Sequence, residues 1–383
     1  MLYENYQSPW LADTELSILK DTAAKFFEQE FVPLREKWVQ QGEVDRDAWL
    51  KAGEAGLLCA EMPTEYGGGG GDYRHETVIM EEQVMASLSG WGNQVHSTIV
   101  APYLLHYGTE DQKQRWLPKM ATGEMVGAIA MTEPNTGSDL QGVRTTAKLE
   151  GDEYVINGAK TYISNGQHAD LTIVVAKTDP SLGAKGISLI VVEATAAGFA
   201  RGRNLKKMGL PAADTSEMFF SDCRVPVSNR LGDEGQGFFQ LMQQLPQERL
   251  NIAQAGVVAM ERAIEITLDF VKERKAFGQR VMDFQNTKFK LAECKTEALI
   301  ARTFVDQCVL KLLNGELDAS TASMAKYWCT QKQCEVIDEC VQLHGGAGYM
   351  DEYEISRMYT DARVQKIYGG TNEIMKELIS RSL

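Results

Sequence analysis

The spacing of apolar residues divides the chain into three parts. From Thr14 to about Met125, apolar side chains recur at helical spacing, beginning with Leu16, Leu19 and Ala23. Because residues three and four positions apart share one face of an α-helix, this stretch is predicted to be helical. We therefore expect a first domain of packed helices over residues 1–126.

The pattern changes to strand-like runs between about Gly127 and Arg230. Runs such as LTIVVAK and GISLIVVE are rich in β-branched residues, which favour strands. Two pairs, Asn157-Gly158 and Asn165-Gly166, are typical of hairpin turns that need positive φ. The prediction is a compact, barrel-like β domain over residues 127–234.

Helical spacing returns in the last third of the chain. Leu291, Ala298, Val305 and Leu312 mark one face over some six turns. The length of residues 235–383 suits a four-helix bundle of antiparallel helices. The predicted fold class is therefore α+β and multidomain, in the uncommon order helical, β, helical.

Composition narrows the classes of partner. The 383 residues include 53 acidic and 39 basic side chains, a formal charge of -14 that disfavours nucleic acid and anionic membrane surfaces. A polyanionic small ligand stays possible, since a few local cations or helix N-termini can hold it. The seven cysteines are odd in number and lack a CxxC pair, so they are interpreted as reduced thiols, and no metal site is predicted.

No run of apolar residues approaches the length of a membrane span, so no membrane insertion is expected. The first residues lead directly into an amphipathic pattern without a signal stretch, and a cytoplasmic location is the expectation. Nucleotide motifs of the Rossmann and P-loop types are also missing from the sequence, as are HExxH and GxSxG. A redox cofactor would have to be held in another way.

Two segments of the β domain could bind a planar polar ring. Ile129 to Ser138 is a strand that breaks into a loop rich in Pro, Asn and Gly, with free backbone groups and hydroxyls. Tyr162 to Ser164 places an aromatic face and a hydroxyl beside a predicted turn. Taken alone, the first segment is an ordinary turn and the second ordinary sheet packing.

Three segments of the C-terminal part have similar potential. Arg274, Phe277 and Gln285 combine a cation, a ring and an amide, which suit a pyrophosphate and an adenine, although a solvated helix end explains the cation equally. Gln342 to Gly346 contains two glycines that let a ligand approach the backbone. Ile367 to Glu373 contains a second Gly-Gly pair before a Thr that is predicted to cap the last helix and present N–H groups to an anion.

In this order and at these spacings, the five segments closely resemble the acyl-CoA dehydrogenase family, most of all its long-chain branch, over essentially the whole chain. The resemblance implies the acyl-CoA dehydrogenase fold and FAD-dependent oxidation of an acyl-CoA to the trans-2-enoyl-CoA, as in fatty acid β-oxidation. It also implies electron-transfer flavoprotein as electron acceptor. A homotetramer, a dimer of dimers in which a neighbouring subunit completes each FAD site, is implied as well.

The resemblance assigns residues to the sites position by position. Flavin contacts of the same subunit are Ile129, Met131, Thr132, Thr136, Gly137, Ser138, Tyr162, Ile163 and Ser164. Contacts donated across the dimer are Arg274, Phe277, Gln285, Gln342, His344, Gly345 and Gly346. The final flavin contacts are Thr371, Asn372 and Glu373. The acyl-CoA site is expected to include Ser138, Phe239, Arg249, Gly369 and Gly370.

The catalytic base departs from the commonest family pattern. Many members carry a Glu in a Tyr-Glu-Gly-Thr stretch, where this sequence has Gly369 after Tyr368. The long-chain and isovaleryl branches place the Glu at the start of a C-terminal-domain helix, and Glu248 matches that position. The alternative interpretation makes Glu248 a first-turn carboxylate that suits the helix dipole. Glu373 is the fallback for the base.

The resemblance to the long-chain branch favours a linear, medium-to-long acyl substrate. Two enzymatic alternatives keep the fold: an isovaleryl-like dehydrogenase of branched short-chain acyl-CoA, and an enzyme that uses oxygen as oxidant. A third alternative is a non-catalytic flavin-binding relative with a regulatory role, including nucleic-acid binding. The negative charge and the presence of Glu248 speak against the third alternative.

Overall fold

The computed structural model describes residues 2–3, 6–381 and 383. Its first part is helical, as predicted, and two π-helical turns at Phe27–Phe31 and His96–Val100 interrupt the α-helices. At the start of the helix Glu110–Ala121, the Thr109 side chain accepts a hydrogen bond from the Gln112 amide, and the Gln112 side chain accepts one from the Thr109 amide. The helices are α1 (Thr14–Phe26), α2 (Arg35–Gln41), α3 (Arg46–Glu54), α4 (Tyr73–Met85), α5 (Asn93–Val95), α6 (Ala101–Tyr107) and α7 (Glu110–Ala121).

The middle part is one eight-stranded sheet, which confirms the predicted β domain. Its strands are β1 (Gly127–Ala130), β2 (Thr146–Glu150), β3 (Glu153–Ser164), β4 (Leu171–Lys177), β5 (Ile187–Glu193), β6 (Phe199–Asn204), β7 (Thr215–Pro226) and β8 (Arg230–Leu231). The order is β6-β7-β3-β2-β4-β5-β8, with β1 parallel to β4. Thr172 on β4 contacts Met218 on β7 at 4.0 Å, although β3 and β2 separate these strands. The sheet therefore curls around a shared interior.

Both predicted Asn-Gly hairpins are wrong. Gly158 lies inside β3, where the register against β7 shifts, and a Cβ at this position would lie 2.4 Å from Oγ1 of Thr145. Asn165 does adopt a left-handed φ of 60° and turns the chain after β3. Strands β3 and β4 are not neighbours in the sheet, however, so this turn joins no hairpin.

The C-terminal part is a helical bundle, as predicted, and three long helices make up most of it. They are α8 (Gly237–Glu273), α9 (Gln285–Leu313) and α10 (Ala319–His344), followed by the short α11 (Glu354–Ala362) and α12 (Asn372–Ser380). A small hairpin of β9 (Lys275–Ala276) and β10 (Gln279–Arg280) joins α8 to α9. Gly256 of α8 lets α10 approach closely, since a Cβ there would lie 3.3 Å from Oε1 of Gln333.

A buried charge network joins the helical parts. The Arg302 guanidinium on α9 contacts Glu81 of α4, donates to Glu261 of α8 at 2.9 and 2.6 Å, and lies 4.0 Å from Asp306. Asp306 in turn accepts from the indole of Trp10 at 2.8 Å. The N-terminal segment is therefore tied to the C-terminal helices through ionic groups that must stay paired.

All seven cysteines are free thiols, and six of them are buried. Within the described residues, no helix has both the length and the apolar character that crossing a membrane requires.

Candidate active site

Glu248 lies well inside α8, so its predicted position at the start of a helix is wrong. The helix begins at Gly237 and continues through Pro246, which rules out the first-turn interpretation of this carboxylate. The side chain is only 5% exposed, and its Oε1 accepts a hydrogen bond from the Tyr103 phenol at 3.0 Å. A buried carboxylate with one protein donor is a candidate for proton transfer.

The surroundings of Glu248 hold its pKa near neutrality. Burial raises the pKa to about 7, against the opposing effects of the Tyr103 hydrogen bond and the Arg249 charge. Burial and the neighbouring Glu248 charge raise the pKa of Tyr103 well above its usual value, so it remains a phenol that can donate. A base with a pKa near the working pH is efficient in general base catalysis.

The turn before α12 lies against the same face of α8. Gly369 has a φ of 64°, and a Cβ on it would lie 2.4 Å from Cδ1 of Ile252. Because Ile252 follows Glu248 by one helical turn, Gly369 and Glu248 face a common region. Thr371 caps α12 by accepting from the Ile374 amide at 3.3 Å, which confirms the predicted cap.

Arg249 lies beside this turn with unused hydrogen-bonding capacity. Its side chain is buried, and its Nη2 would lie 4.0 Å from a Cβ at Gly370. The Nε atom is buried without a hydrogen-bond partner among the described residues. A buried guanidinium with an unpaired donor is suited to an electron-rich ligand.

The predicted ring-binding loop after β1 rests on a buried ion pair. The Lys160 ammonium donates to the Glu133 carboxylate at 2.8 Å and to the carbonyls of Met131 and Val175 at 3.1 and 2.7 Å. Burial opposes the charge of Glu133, but Lys160 and hydrogen bonds from the Thr145 region hold its pKa below the usual value. These contacts hold the loop against the sheet. Gly137 and Ser138, farther along the loop, are exposed.

The second predicted ring contact lies next to this loop. The Thr161 amide donates to the Thr132 carbonyl at 3.0 Å, beside an irregularity in β3 that gives Tyr162 a left-handed φ of 59°. The Tyr162 ring is 68% exposed, whereas the Ile163 side chain packs in the interior of the sheet. The structure thus brings the two β-domain segments together.

An apolar cluster connects the loop to the Glu248 region. Ile129 and Met131 pack against a cluster that includes Tyr103, the donor to Glu248, and Leu241 of α8. The first β-domain segment and the Tyr103 donor to Glu248 therefore border one shared apolar core.

The remaining predicted contacts gather at the far end of α8. Arg274 ends this helix, Phe277 at the tip of the small hairpin is 96% exposed, and Gln285 begins α9. The end of α10 is nearby, because the His344 ring stacks on Phe270 at 4.3 Å. At 1.5 Å per residue, about 39 Å of helix separates Glu248 from Arg274.

Several predicted site residues direct their side chains into the protein. His344 Nδ1 bonds to the Cys340 carbonyl, the Thr136 hydroxyl donates to the Gly142 carbonyl, and the Asn372 amide oxygen accepts from Lys326 and Thr330. By contrast, the side chains of Gln342, Phe239 and Glu373 are exposed.

Tyr103, Lys160 and Lys326 are functional candidates that the sequence did not single out. Tyr103 ends the stretch His96 to Tyr103, which is part of the family resemblance but was given no role in a site. One feature of the sequence could have identified the two lysines: each is a charged residue at a position where the strand or helix pattern calls for an apolar one.

Three family models match the chain in succession. They are the acyl-CoA dehydrogenase N-terminal domain over residues 13–124, the middle domain over 128–223 and the C-terminal domain over 235–383.

Individual relatives agree with these matches. The mitochondrial long-chain specific acyl-CoA dehydrogenase of Mus musculus is 50% identical over 372 residues, 97% of this chain and 86% of that protein. The crystal structure of an acyl-CoA dehydrogenase from Geobacillus kaustophilus superposes with a TM-score of 0.96 at 47% identity, over 98% of this chain and 99% of that one. A glutaryl-CoA dehydrogenase from Mycobacterium smegmatis in complex with FADH2 has a TM-score of 0.92 at 26% identity, over 100% and 97%. The chain belongs to the acyl-CoA dehydrogenase family of oxidoreductases.

Proposed function

We propose that this enzyme uses FAD to oxidise a linear, medium-to-long acyl-CoA to the trans-2-enoyl-CoA, with Glu248 as the base. The observation that carries the proposal is the position of Glu248, buried, hydrogen-bonded to Tyr103 and on the helix face that Gly369 contacts. Gly369 occupies the position of the usual family base, so a carboxylate on α8 can reach the same substrate carbon from a different element.

The chain supplies the proton acceptor and the polar contacts for the thioester. The α C–H bond breaks, its proton moves to a carboxylate oxygen of Glu248, and negative charge develops on the thioester oxygen. Backbone N–H groups of the turn at Gly369 and Gly370 are suited to stabilise that charge, as in an oxyanion hole. FAD, when bound, supplies the acceptor for the hydride of the β-carbon.

The residues present fit a flavin. Tyr162 exposes its ring beside a loop that Lys160 holds rigidly, and Ser138 is exposed next to them. Gly345 and Gly346 have no heavy atom within 4 Å of a Cβ position, so a ligand can approach their backbone. These features support FAD binding at both groups of predicted contacts.

A second copy of the chain would complete each FAD site in this proposal. About 39 Å of α8 lies between Glu248 and Arg274, so the far group of predicted contacts is remote from the proposed base of the same chain. Phe277 projects into solvent at the far group, as expected for a residue donated to a neighbour. A homotetramer, electron-transfer flavoprotein as acceptor and a cytoplasmic location complete the proposal, and sedimentation, coupled assays and cell fractionation would test them.

A panel of acyl-CoAs tests the reaction and the substrate. The purified protein is titrated anaerobically with linear and branched acyl-CoAs of graded length, and flavin absorbance is followed. We expect bleaching to be fastest with medium or long linear chains. A preference for isovaleryl-CoA would overturn the substrate assignment, and peroxide formed in air at the rate of substrate loss would indicate an oxidase. No bleaching with any acyl-CoA, together with duplex DNA binding, would support the regulatory alternative.

Replacement of Tyr103 by Phe tests the environment of the base. The variant loses the Tyr103 hydrogen bond that stabilises the Glu248 carboxylate, so the pKa of Glu248 rises. Because the base must be deprotonated to act, the acid limb of the pH profile of flavin reduction should move upward by about one to two pH units. Tyr107→Phe is the control, since Tyr107 donates to Gln243 instead. An unchanged acid limb in Tyr103→Phe would contradict the prediction.

A further inference from the structure

Lys326 of α10 is a fully buried cation directly behind the proposed thioester-binding turn. Its exposed fraction is 0%, and its Nζ donates to the Gly370 carbonyl at 2.7 Å and to Asn372 Oδ1 at 3.0 Å. Both of these acceptors are amide oxygens, and among the described residues no carboxylate lies within salt-bridge distance of Nζ. A buried ammonium without a counterion is costly, so its retention at this place calls for a functional reason.

A second buried cation lies close to the same turn. Arg249 of α8 approaches Gly370 with its guanidinium and keeps one buried donor unpaired. Burial first, and then the Arg249 charge, lower the pKa of Lys326 to about 7, while the exposed Glu373 raises it only in part. The two acceptors of Nζ favour the ammonium over the neutral amine. When Lys326 is protonated, two positive groups that repel each other therefore lie close to Gly370.

This arrangement becomes favourable when negative charge appears at the turn. Removal of the α-proton of an acyl-CoA creates such a charge on the thioester oxygen. Positive groups that are fixed before the reaction, in a site shielded from water, stabilise it without reorganisation. The left-handed backbone of Gly369 and Gly370 needs an anchor as well, and Lys326 holds the Gly370 carbonyl.

We propose that Lys326 is a positioning residue that fixes the Gly369–Thr371 turn from behind and, together with Arg249, supplies a positive field for the charge on the thioester oxygen. This inference rests on the proposed acyl-CoA oxidation. A purely structural role differs in its consequences, because it would join α10 to α12 without affecting the acidity of a bound ligand.

A 3-thia-acyl-CoA separates these roles. The sulfur replaces the β-carbon, so the analogue can lose its α-proton to Glu248 but cannot deliver a hydride. Its ionised form beside oxidised flavin gives a long-wavelength absorbance band, and a pH titration of that band measures the pKa of the bound ligand. We expect Lys326→Met to raise this ligand pKa by at least about one pH unit, a tenfold loss of the ionised form. Flavin reduction by substrate should slow by a similar factor, with KM within about threefold.

Two further variants keep the test decisive. Lys326→Gln removes the charge but retains an amide donor, so it replaces Lys326→Met if that protein does not fold, with the same rise expected. Thr330→Val is the matched control on α10, since it removes another hydrogen bond to Asn372 without a change of charge. It should lower stability slightly and leave the ligand pKa unchanged.

The outcomes distinguish the two levels of the proposal. A wild-type protein that gives no band with the analogue and no bleaching with any acyl-CoA would overturn the proposed function. A wild-type band whose pKa is the same in both Lys326 variants would overturn the role of Lys326 alone. If Lys326→Gln and Thr330→Val raise the pKa of the bound ligand equally, the anchoring of α12, and not the charge of Lys326, determines that pKa.

Discussion

Glu248→Gln is expected to slow flavin reduction by bound acyl-CoA by a factor on the order of 10² to 10⁴, the range for loss of a positioned general base. The amide keeps the shape of the side chain and accepts the Tyr103 hydrogen bond through its oxygen, but it cannot take up the α-proton. FAD content and acyl-CoA affinity should stay close to those of the wild type. Anaerobic stopped-flow measurement of flavin absorbance tests this directly.

Glu316→Gln is the matched control. It makes the same chemical change at an exposed residue between α9 and α10, and it should reduce flavin at the wild-type rate. If Glu248→Gln also reduces flavin within tenfold of the wild type, the assignment of the base is wrong, and Glu373 becomes the residue to test.

Moving the carboxylate from position 248 to position 369 tests whether the two positions face the same substrate α-carbon. Glu248→Gly combined with Gly369→Glu places a carboxylate at the other family position. The structure predicts that this pair alone regains little activity, because Gly369 has a φ of 64° and its new Cβ would meet Ile252 Cδ1 at 2.4 Å. Adding Ile252→Ala opens that space and should restore part of the rate. If the triple variant is no faster than Glu248→Gly, the two positions do not face one α-carbon.

Arg302→Met is expected to have the largest effect on stability. The side chain is 6% exposed and is the cation shared by Glu81, Glu261 and Asp306. Its removal leaves three carboxylates buried together, a change that typically costs about 3 to 5 kcal/mol. Thermal unfolding followed by calorimetry should give a clearly lower Tm than that of the wild type.

The pH dependence of this loss has a definite sign. Burial already raises the pKa of Glu261 and of Asp306, and Arg302 acts against that rise. Without Arg302 the folded-state pKa values rise further above the unfolded ones, so the variant loses stability as pH increases. The Tm difference should therefore be larger at pH 8 than at pH 5. Arg381→Met, at an exposed pair with Glu377, is the control and should leave Tm nearly unchanged at both.

The helical, β, helical organisation was predictable because it depends on local periodicity. Residues three or four apart on one helix, and alternate residues on a strand, reveal their burial in the sequence itself. The hairpin prediction at Asn157-Gly158 was wrong because it too relied only on local sequence. The pair fits a type I′ turn, but pairing of β3 with β7 over a long register outweighed it.

The predicted start of α8 near Glu248 was wrong because it also relied on a local feature. Pro246 is typical of a first helical turn, yet α8 runs through it from Gly237. The long helix buries an apolar face along its length against the neighbouring helices, and this packing outweighs the cost of one proline.

The sequence by itself determined the family, and it predicted the segments that carry the candidate flavin contacts and Glu248 as the candidate base in place of the Glu missing at Gly369. The motifs that carry the family resemblance are local properties of the chain, and the resemblance implies these residue assignments. Only the tertiary structure decided that Gly369 lies against Ile252 on the Glu248 face of α8, that Tyr103 donates to Glu248, and that Lys326 donates to the Gly370 carbonyl. Those contacts join residues far apart in the chain, and burial of apolar surface between the helices, which no local pattern encodes, brings them together.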